Sequence, residues 1–330
     1  MKILINLLVF CIVLFLYLHI YYHLKTSNDL EIYEIEQPSK EHLEEICDLR
    51  QPVLLDYNNN EIISTFKMSN ILDTYGAFDI KIRNVKEYDS GTDIYLPIAF
   101  NNALDVFKKD KEQKYISEKN SDFIEETTLI KTFSYNDEFL RPYMVAYSEY
   151  DYIMGSTGAV TPFRYELNYR NYFLVTEGKA HFRLTPYRSY KYLYTNNDYE
   201  HLEFRSQINP WNVDKQYKAD FNKIKCLDVT VNPGQILQVP AYWYYSIKYE
   251  SETSICVFKY RTYMNTLAIS PQLILNILQN QNIKRQVVKC AENNEQVSKE
   301  STEESPKESP KESPTTNEQT TEIIKDTEQM

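Results

Sequence analysis

The stretch IMGSTGAVTPFRYE, residues 153–166, is the most informative part of the sequence, together with a second stretch, PGQILQVPAYWYYS, residues 233–246. Each combines apolar and aromatic residues with Gly and Pro, a pattern typical of short strands separated by turns. Arg164 and Glu166 are two residues apart, so on a strand they share one face. Tyr245 follows Arg164 by 81 residues and lies in the aromatic end of the second stretch. These three side chains are the first candidate functional residues.

The second half of the chain is rich in strand-like segments. They follow one another at short spacing and are broken by Gly, Pro and Asn, which favours an antiparallel barrel. The helix predicted at 39–50 begins at a Ser, has acidic residues near its start and closes on an Arg. The sequence therefore predicts a mostly β domain with flanking helices. The predicted strands are 52–56, 171–178, 180–184, 226–231, 235–239 and 253–260, and the predicted helices are 39–50, 64–75, 99–111 and 270–279.

Residues 3–20 are apolar enough to cross a membrane. Fourteen of these 18 residues are Leu, Ile, Val or Phe, and 18 residues at helical rise extend about 27 Å, close to a hydrocarbon core. A cleavable signal peptide is the alternative, but it requires small residues at its exit, and residues 19–25 read HIYYHLK. We therefore predict an N-terminal transmembrane helix within residues 1–24, which anchors a single-pass protein in a membrane.

The predicted domain spans residues 25–285, and residues 286–330 form a different kind of segment. This segment is rich in Glu, Ser, Lys, Thr and Pro and repeats the motif Glu-Ser-Pro. Such a composition cannot bury enough apolar area to offset chain entropy, which predicts a disordered acidic tail. Ser305, Ser309 and Ser313 each precede Pro, so the tail is either a target of proline-directed phosphorylation or an inert solubilising segment.

Composition excludes one class of partner and indicates a source. The net charge is −11 and no basic stripe stands out, so a nucleic-acid partner is not expected. Abundant Asn, Ile and Lys beside only 6 Gly indicate an AT-rich genome, such as that of a large DNA virus, so the predicted membrane is a host or virion membrane. The cysteines show no paired spacing and are predicted to be small buried thiols. They are Cys11, Cys47, Cys226, Cys256 and Cys290.

The order of segments over residues 38–270 resembles the cupin-like JmjC domain family, whose relatives include the Fe(II)- and 2-oxoglutarate-dependent asparaginyl hydroxylase. The resemblance rests on the helix that leads into RQPVL at 50–54, on TPFRYE at 161–166, on the EGK turn at 177–179 and on PGQILQVPAYWYY at 233–245. It implies a double-stranded β-helix of the cupin or jelly-roll type. In that family, ligands for iron project inward from two strands.

The departures from the family fall on the expected metal-ligand positions. Where the family has His, Asp and His, this chain has Arg164, Glu166 and Tyr245. A guanidinium stays cationic and has no lone pair to donate, and a phenol with a pKa near 10 is a poor Fe(II) ligand at neutral pH. Non-haem Fe(II) sites call for two imidazoles and a carboxylate. The resemblance therefore implies a degenerate metal site, with no metal and no catalytic residues.

The expected co-substrate positions are altered as well. Thr161 matches a family residue that contacts 2-oxoglutarate, although it can equally cap a strand. Ala180 stands where the family has the lysine for the co-substrate, and Lys179 comes one residue early, on the opposite face of a strand. Tyr165 and Trp243 are the candidate pocket aromatics. They indicate either sugar or peptide binding, or ordinary packing at the end of the barrel.

Two further alternatives concern charge and metal binding. Arg164 and Glu166 either form a buried ion pair in the volume left by the metal, with the Tyr245 hydroxyl as a third partner, or Arg164 forms a small-anion pocket. His181 and His201 lack a nearby His-x-Asp pattern, so they are predicted to be packed or exposed residues rather than ligands.

The combined prediction is a membrane-anchored, cupin-like pseudoenzyme that binds or scaffolds. Its partners would be the membrane, through residues 3–20, and a protein or small anion at the mouth of the barrel. No cofactor is expected. The alternative is an active hydroxylase that uses Fe(II) and 2-oxoglutarate with non-standard metal ligands.

Overall fold

A computed structural model of the protein describes residues 2–86 and 95–282. The predicted tail at 286–330, with Cys290 and the three Ser-Pro sites, lies outside these ranges. The described cysteines are free thiols; Cys47 and Cys256 are buried as predicted, whereas Cys226 is half-buried and Cys11 is exposed on the first helix.

The first helix is long and apolar. It covers Lys2–Leu24, with a mean hydropathy of 2.7 in its most apolar window, none of which is buried. By length and composition this helix can cross a membrane, and a signal sequence near the N-terminus has the same features. The remaining helices are short: α2 Lys40–Cys47, α3 Asn60–Thr65, α4 Met68–Tyr75, α5 Phe100–Lys109, α6 Ser121–Glu126, α7 Ile130–Asn136, α8 Lys218–Phe221 and α9 Tyr263–Ala268, with a final helical segment at 270–282.

Local sequence explains where these helices begin and end. The Ser39 side chain accepts from the backbone N–H of His42 and caps α2, as the sequence predicts. The single helix predicted at 64–75 is wrong, because α3 ends at Thr65 and α4 begins at Met68. Phe66 lies between them and is fully buried against the Phe133 ring, at 4.6 Å between centroids. Burial of the Phe66 ring explains why the helix breaks between Thr65 and Met68.

The strands form two sheets, and the mostly β architecture with flanking helices is confirmed. One sheet has nine strands in the order β1-β2-β13-β8-β15-β6-β5-β3-β4, and the other has six in the order β10-β11-β7-β14-β9-β12. Nearly all neighbours are antiparallel; β1 and β2 are parallel. The strands are β1 Tyr33–Ile35, β2 Val53–Asp56, β3 Asp79–Asn84, β4 Leu96–Ala99, β5 Tyr115–Ser117, β6 Val145–Gly155, β7 Arg164–Tyr165, β8 Arg170–Glu177, β9 Ala180–Thr185, β10 Thr195–Asp198, β11 Glu203–Ser206, β12 Leu227–Val231, β13 Gln235–Pro240, β14 Tyr244–Tyr249 and β15 Thr253–Thr262.

A shared core holds the two sheets face to face. Phe173 of the larger sheet contacts Phe182 and Tyr245 of the smaller one, with ring centroids 5.3 and 5.1 Å apart. Aliphatic side chains from both sheets fill the space around these rings. Burying such side chains is worth ~1.5–3 kcal/mol each, so this layer is a main source of stability. Beside it, polar side chains of the same strands line a cavity.

Candidate functional site

The three predicted ligand positions converge from two strands. Arg164 of β7 and Tyr245 of β14 are direct cross-strand partners. Glu166 follows β7 directly, and its Oε1 accepts a hydrogen bond from the Tyr245 hydroxyl at 3.0 Å. The structure therefore brings these three side chains together. Their side chains all line one cavity.

The cavity has a volume of about 330 Å³ and a charged lining. The five acidic and five basic residues (Lys and Arg) in its lining balance one another, so the cavity has little net charge. Most of these groups are paired, which fixes their positions. The charged lining residues are Lys81, Glu118, Lys119, Glu149, Asp151, Arg164, Glu166, Glu203, Lys259 and Arg261, and His201 adds a titratable ring.

Arg164 is held by a buried carboxylate that comes from outside its own sheet. Its Nη1 donates to Glu118 Oε2 at 2.6 Å, and Arg83 Nη2 lies 2.8 Å from Glu118 Oε1. The side chain of Glu118 is only 3% exposed. The Tyr95 hydroxyl also donates to Glu118, at 3.0 Å. This carboxylate therefore anchors the guanidinium that stands at the first ligand position.

Neighbouring cations determine the ionisation of Glu118. Burial alone would raise the pKa of Glu118, but Arg164, Arg83 and Arg205 together lower this pKa well below its usual value. Arg205 is the β11 partner of Arg164 across the sheet, and it pairs with Glu203. Glu118 thus separates the guanidinium groups of Arg164 and Arg83, and Glu203 pairs with Arg205 and with the Lys119 ammonium.

A second cluster surrounds Lys259 of β15. Its Nζ lies 3.1 Å from Glu149 Oε1 and 3.4 Å from Glu166 Oε1. Burial lowers the pKa of Lys259, but Glu149 and Glu166 raise it well above its usual value. Lys259 in turn lowers the pKa of Glu149, in spite of burial. The ammonium therefore stays charged and occupies the side of Glu166 that faces β15.

These contacts correct the predicted ion pair between Arg164 and Glu166. Arg164 pairs with Glu118, whereas Glu166 pairs with Lys259 and accepts from Tyr245. The guanidinium lies over the Tyr245 ring, 5.3 Å from its centroid. Tyr245 therefore contacts both charge clusters: Arg164 lies over its ring, and its hydroxyl donates to Glu166.

This donor set does not fit an Fe(II) centre of the family type. Arg164 places a cation at the first position, and Lys259 places a second cation against the only carboxylate among the three. Burial raises the pKa of Tyr245, so the phenol keeps its proton. None of the three positions supplies the imidazoles that such an iron site uses.

The expected co-substrate positions do not line the cavity. Thr161 is fully buried, and its hydroxyl accepts from the Ile247 backbone N–H at 2.8 Å, which ties it to β14. Ala180 lies in the core between the sheets. Lys179 is exposed in the turn at Gly178, whose φ of +74° favours glycine.

The two candidate pocket aromatics do not line this cavity. Tyr165 points to the face of β7 opposite Arg164 and stacks on Phe204, with centroids 4.7 Å apart. Trp243 is fully buried in the core between the sheets. The cavity instead takes its aromatic surface from Tyr150, Phe173 and Tyr245.

The side chains of His181 and His201 are 33% and 53% exposed. His181 bridges Thr230 and Glu250 on the outer side of β9. His201 contacts Asp198. Among the described residues, Asp198, Glu200 and His201 form a group that could hold a metal ion, with their possible ligand atoms within 4.8 Å of one another. This group is on an exposed turn, where acidic clusters are common without a metal.

Sequence reasoning missed the residues that fix the charges. Glu118 lies 46 positions before Arg164, at the end of β5, and Lys259 lies in β15 between the buried residues Phe258 and Tyr260. A charged residue within a buried strand is a signal for a paired or functional group, and the run CVFKY at 256–260 contains that signal. The segment KYISEKN at 114–120 adds to the resemblance to the family, but its pattern does not single out Glu118.

Comparisons with known proteins agree with this architecture. A family model described as "Cupin-like domain" matches residues 36–262, more than half of the chain. The chain is also similar to HSPB1-associated protein 1 from Bos taurus, Rattus norvegicus and Homo sapiens, at 32% identity over 96 residues. That segment is 29% of this chain and 20% of each relative, so the match spans about a fifth of these relatives.

Proposed function

This chain belongs to the cupin-like domain family, and from that premise we propose that it is a membrane-attached, non-catalytic member that uses its cavity to bind a partner. The two sheets would form the double-stranded β-helix of JmjC-type relatives. One observation carries the proposal: the Arg164–Glu118 ion pair fills the place where the resemblance puts a metal ligand. Iron chemistry would require that pair to be broken.

The energetic cost supports a binding role over catalysis. Removing one partner of a buried ion pair typically costs ~3–5 kcal/mol. To make room for Fe(II), the chain would have to release Arg164 from Glu118 and Lys259 from Glu166. An active hydroxylase of the JmjC type would have to overcome both costs.

The cavity itself favours a small polar ligand with an anionic group. Among the described residues, Arg261 is the cation of the cavity lining that has no carboxylate within salt-bridge distance. It donates to the Asn168 side-chain oxygen at 2.7 Å and lies over the Tyr147 ring at 4.3 Å. A carboxylate or phosphate on a ligand or on a partner protein would complete its pairing.

Two assays on the full-length protein test this proposal. Conversion of 2-oxoglutarate to succinate, with added Fe(II), should stay at the level of a blank without enzyme; turnover would overturn the non-catalytic role. Binding of inorganic phosphate or succinate, measured by thermal shift, should be weakened by Arg261→Gln. The control is Lys109→Gln, which removes an exposed cation from α5.

Membrane attachment is tested separately. The full chain should stay in the pellet after carbonate extraction, and a chain that begins at Thr26 should be released. Recovery of a mature protein lacking residues 1–24 would instead identify this segment as a cleaved signal sequence.

A further inference from the structure

The end of α1 is not free of the domain. Along α1 the partly or fully buried residues are Leu16, His19, Ile20 and His23, which recur at helical spacing and so form one face. His23 packs against the Tyr169 ring, at 5.1 Å between centroids. The last two turns of α1 therefore rest on the domain, and residues 3–15 extend away from it.

That contact leaves too little free helix to cross a bilayer. Residues 3–15 number thirteen, so at helical rise they extend about 20 Å, whereas a hydrocarbon core is about 30 Å thick. If α1 spans a membrane, the segment at 16–22 must also lie within or close to the apolar layer. The domain surface beside this segment would then enter the membrane interface.

The domain surface beside residues 16–22 of α1 is apolar and exposed. Tyr143, Met144 and Tyr263 are 60%, 70% and 60% exposed, and they line one groove of about 610 Å³ together with Leu18 and Tyr22 of α1. We call Tyr143, Met144, Tyr263 and Met264 the rim. Tyrosine is enriched at membrane interfaces because its ring is apolar and its hydroxyl is polar.

Charges behind the rim are neutralised. Asp48 and Glu44 also line the groove, but Arg170, which is fully buried, lies 2.6 and 3.3 Å from their carboxylate oxygens. Arg50 is held between the rings of Tyr22 and Tyr169, at 4.9 and 4.8 Å. The junction therefore presents paired charges and aromatic rings, a combination that suits the boundary between headgroups and acyl chains.

We propose that the rim is a second membrane-contact surface, which inserts into the interface of the bilayer that α1 crosses. This inference rests on the proposed membrane attachment. It implies that the domain is held at a fixed orientation on the bilayer rather than on a flexible stalk.

Fluorescence quenching by brominated phospholipid tests the rim. The full-length Tyr263→Trp protein is reconstituted in phosphatidylcholine vesicles with and without bromine on the acyl chains. The wild type supplies the background of Trp211 and Trp243. The emission added by the Tyr263→Trp substitution should be quenched at least twofold more than that of a matched probe, Leu96→Trp.

Leu96 is a suitable control because it is equally exposed, at 59%, but distant. Leu96 pairs with Ile82 of β3, Ile82 pairs with Ser117 of β5, and Ser117 pairs with Met154 of β6. Met154 lies at the end of β6 that is farther from the rim. The 11 residues of β6 extend about 35 Å at strand rise.

Each outcome has a separate meaning. Equal quenching of both probes, in protein that resists carbonate extraction, would overturn the rim while leaving the anchor intact. Protein that carbonate releases would overturn the attachment itself, and the rim with it. Strong quenching of the Tyr263→Trp probe alone supports both.

Discussion

Replacing Glu118 with Gln removes the carboxylate that neutralises the buried guanidinium groups beside the cavity. Its oxygens lie 2.6 Å from Arg164 and 2.8 Å from Arg83, and its side chain is 3% exposed. Loss of one partner from a buried pair costs ~3–5 kcal/mol, because the remaining charge stays desolvated. At ~2–4 °C per kcal/mol for a domain of this size, the thermal midpoint should fall by roughly 6–20 °C.

The matched control is Asp105→Asn. Asp105 is also paired, with Lys109 at 3.9 Å, but the two side chains are 67% and 80% exposed. Solvent screens such pairs, so the control should leave the midpoint nearly unchanged. The double variant Glu118→Gln, Arg164→Met should be less destabilised than the sum of its single variants, since the two residues share one interaction. A Glu118→Gln midpoint equal to that of wild type would refute the proposed role of this carboxylate.

The ionisation of Glu118 predicts that the stability of the protein depends on pH. The pKa of Glu118 is depressed in the folded state, while the unfolded value is close to 4.5. Its stabilisation is therefore complete above about pH 4.5 and is lost as the pH falls towards the folded pKa. The stability gap between wild type and Glu118→Gln should be constant at neutral pH and should narrow in acid. If the stability difference between wild type and Glu118→Gln grows as the pH falls, a depressed pKa of Glu118 is not its cause.

Two further variants test the other charges. Lys259→Met leaves the half-buried carboxylates of Glu149 and Glu166 without their cation, so urea unfolding should show a loss of stability below the ~3–5 kcal/mol typical of a fully buried pair. An unchanged free energy of unfolding would mean that water screens these carboxylates completely. The triple variant Arg164→His, Glu166→Asp, Tyr245→His restores the residues of the family. It should bind Co(II) with an affinity that each single variant lacks. A folded triple variant that binds Co(II) no better than wild type would show that these side chains do not converge on one point.

Strand positions could be predicted because they depend on local patterns and on the family's order of segments. The runs at 171–178, 180–184 and 235–239 correspond to β8, β9 and β13, with shifts of one residue at their ends. The resemblance led us to expect that Arg164 and Tyr245 converge from two strands, and in the structure they are direct cross-strand partners.

The charge partners could not be predicted in the same way. Arg164 and Glu166 share a strand face in the sequence, and this favoured pairing them. Glu118 competes for Arg164 from the end of β5, in the other sheet, and only tertiary packing brings it within 2.6 Å. Lys259 likewise reaches Glu166 from β15 across the space between the sheets. Side-chain contacts between sheets depend on packing rather than on sequence spacing.

The contacts of Arg164 and Lys259 predict that ion pairs, rather than iron, occupy the centre of the cavity. The measurement that decides between the two is anaerobic equilibrium dialysis of the full-length protein against Fe(II), with Glu166→Ala as the companion variant. We expect wild type and Glu166→Ala to retain the same sub-stoichiometric amount of iron. One equivalent of Fe(II) bound by wild type and lost in Glu166→Ala would contradict the claim.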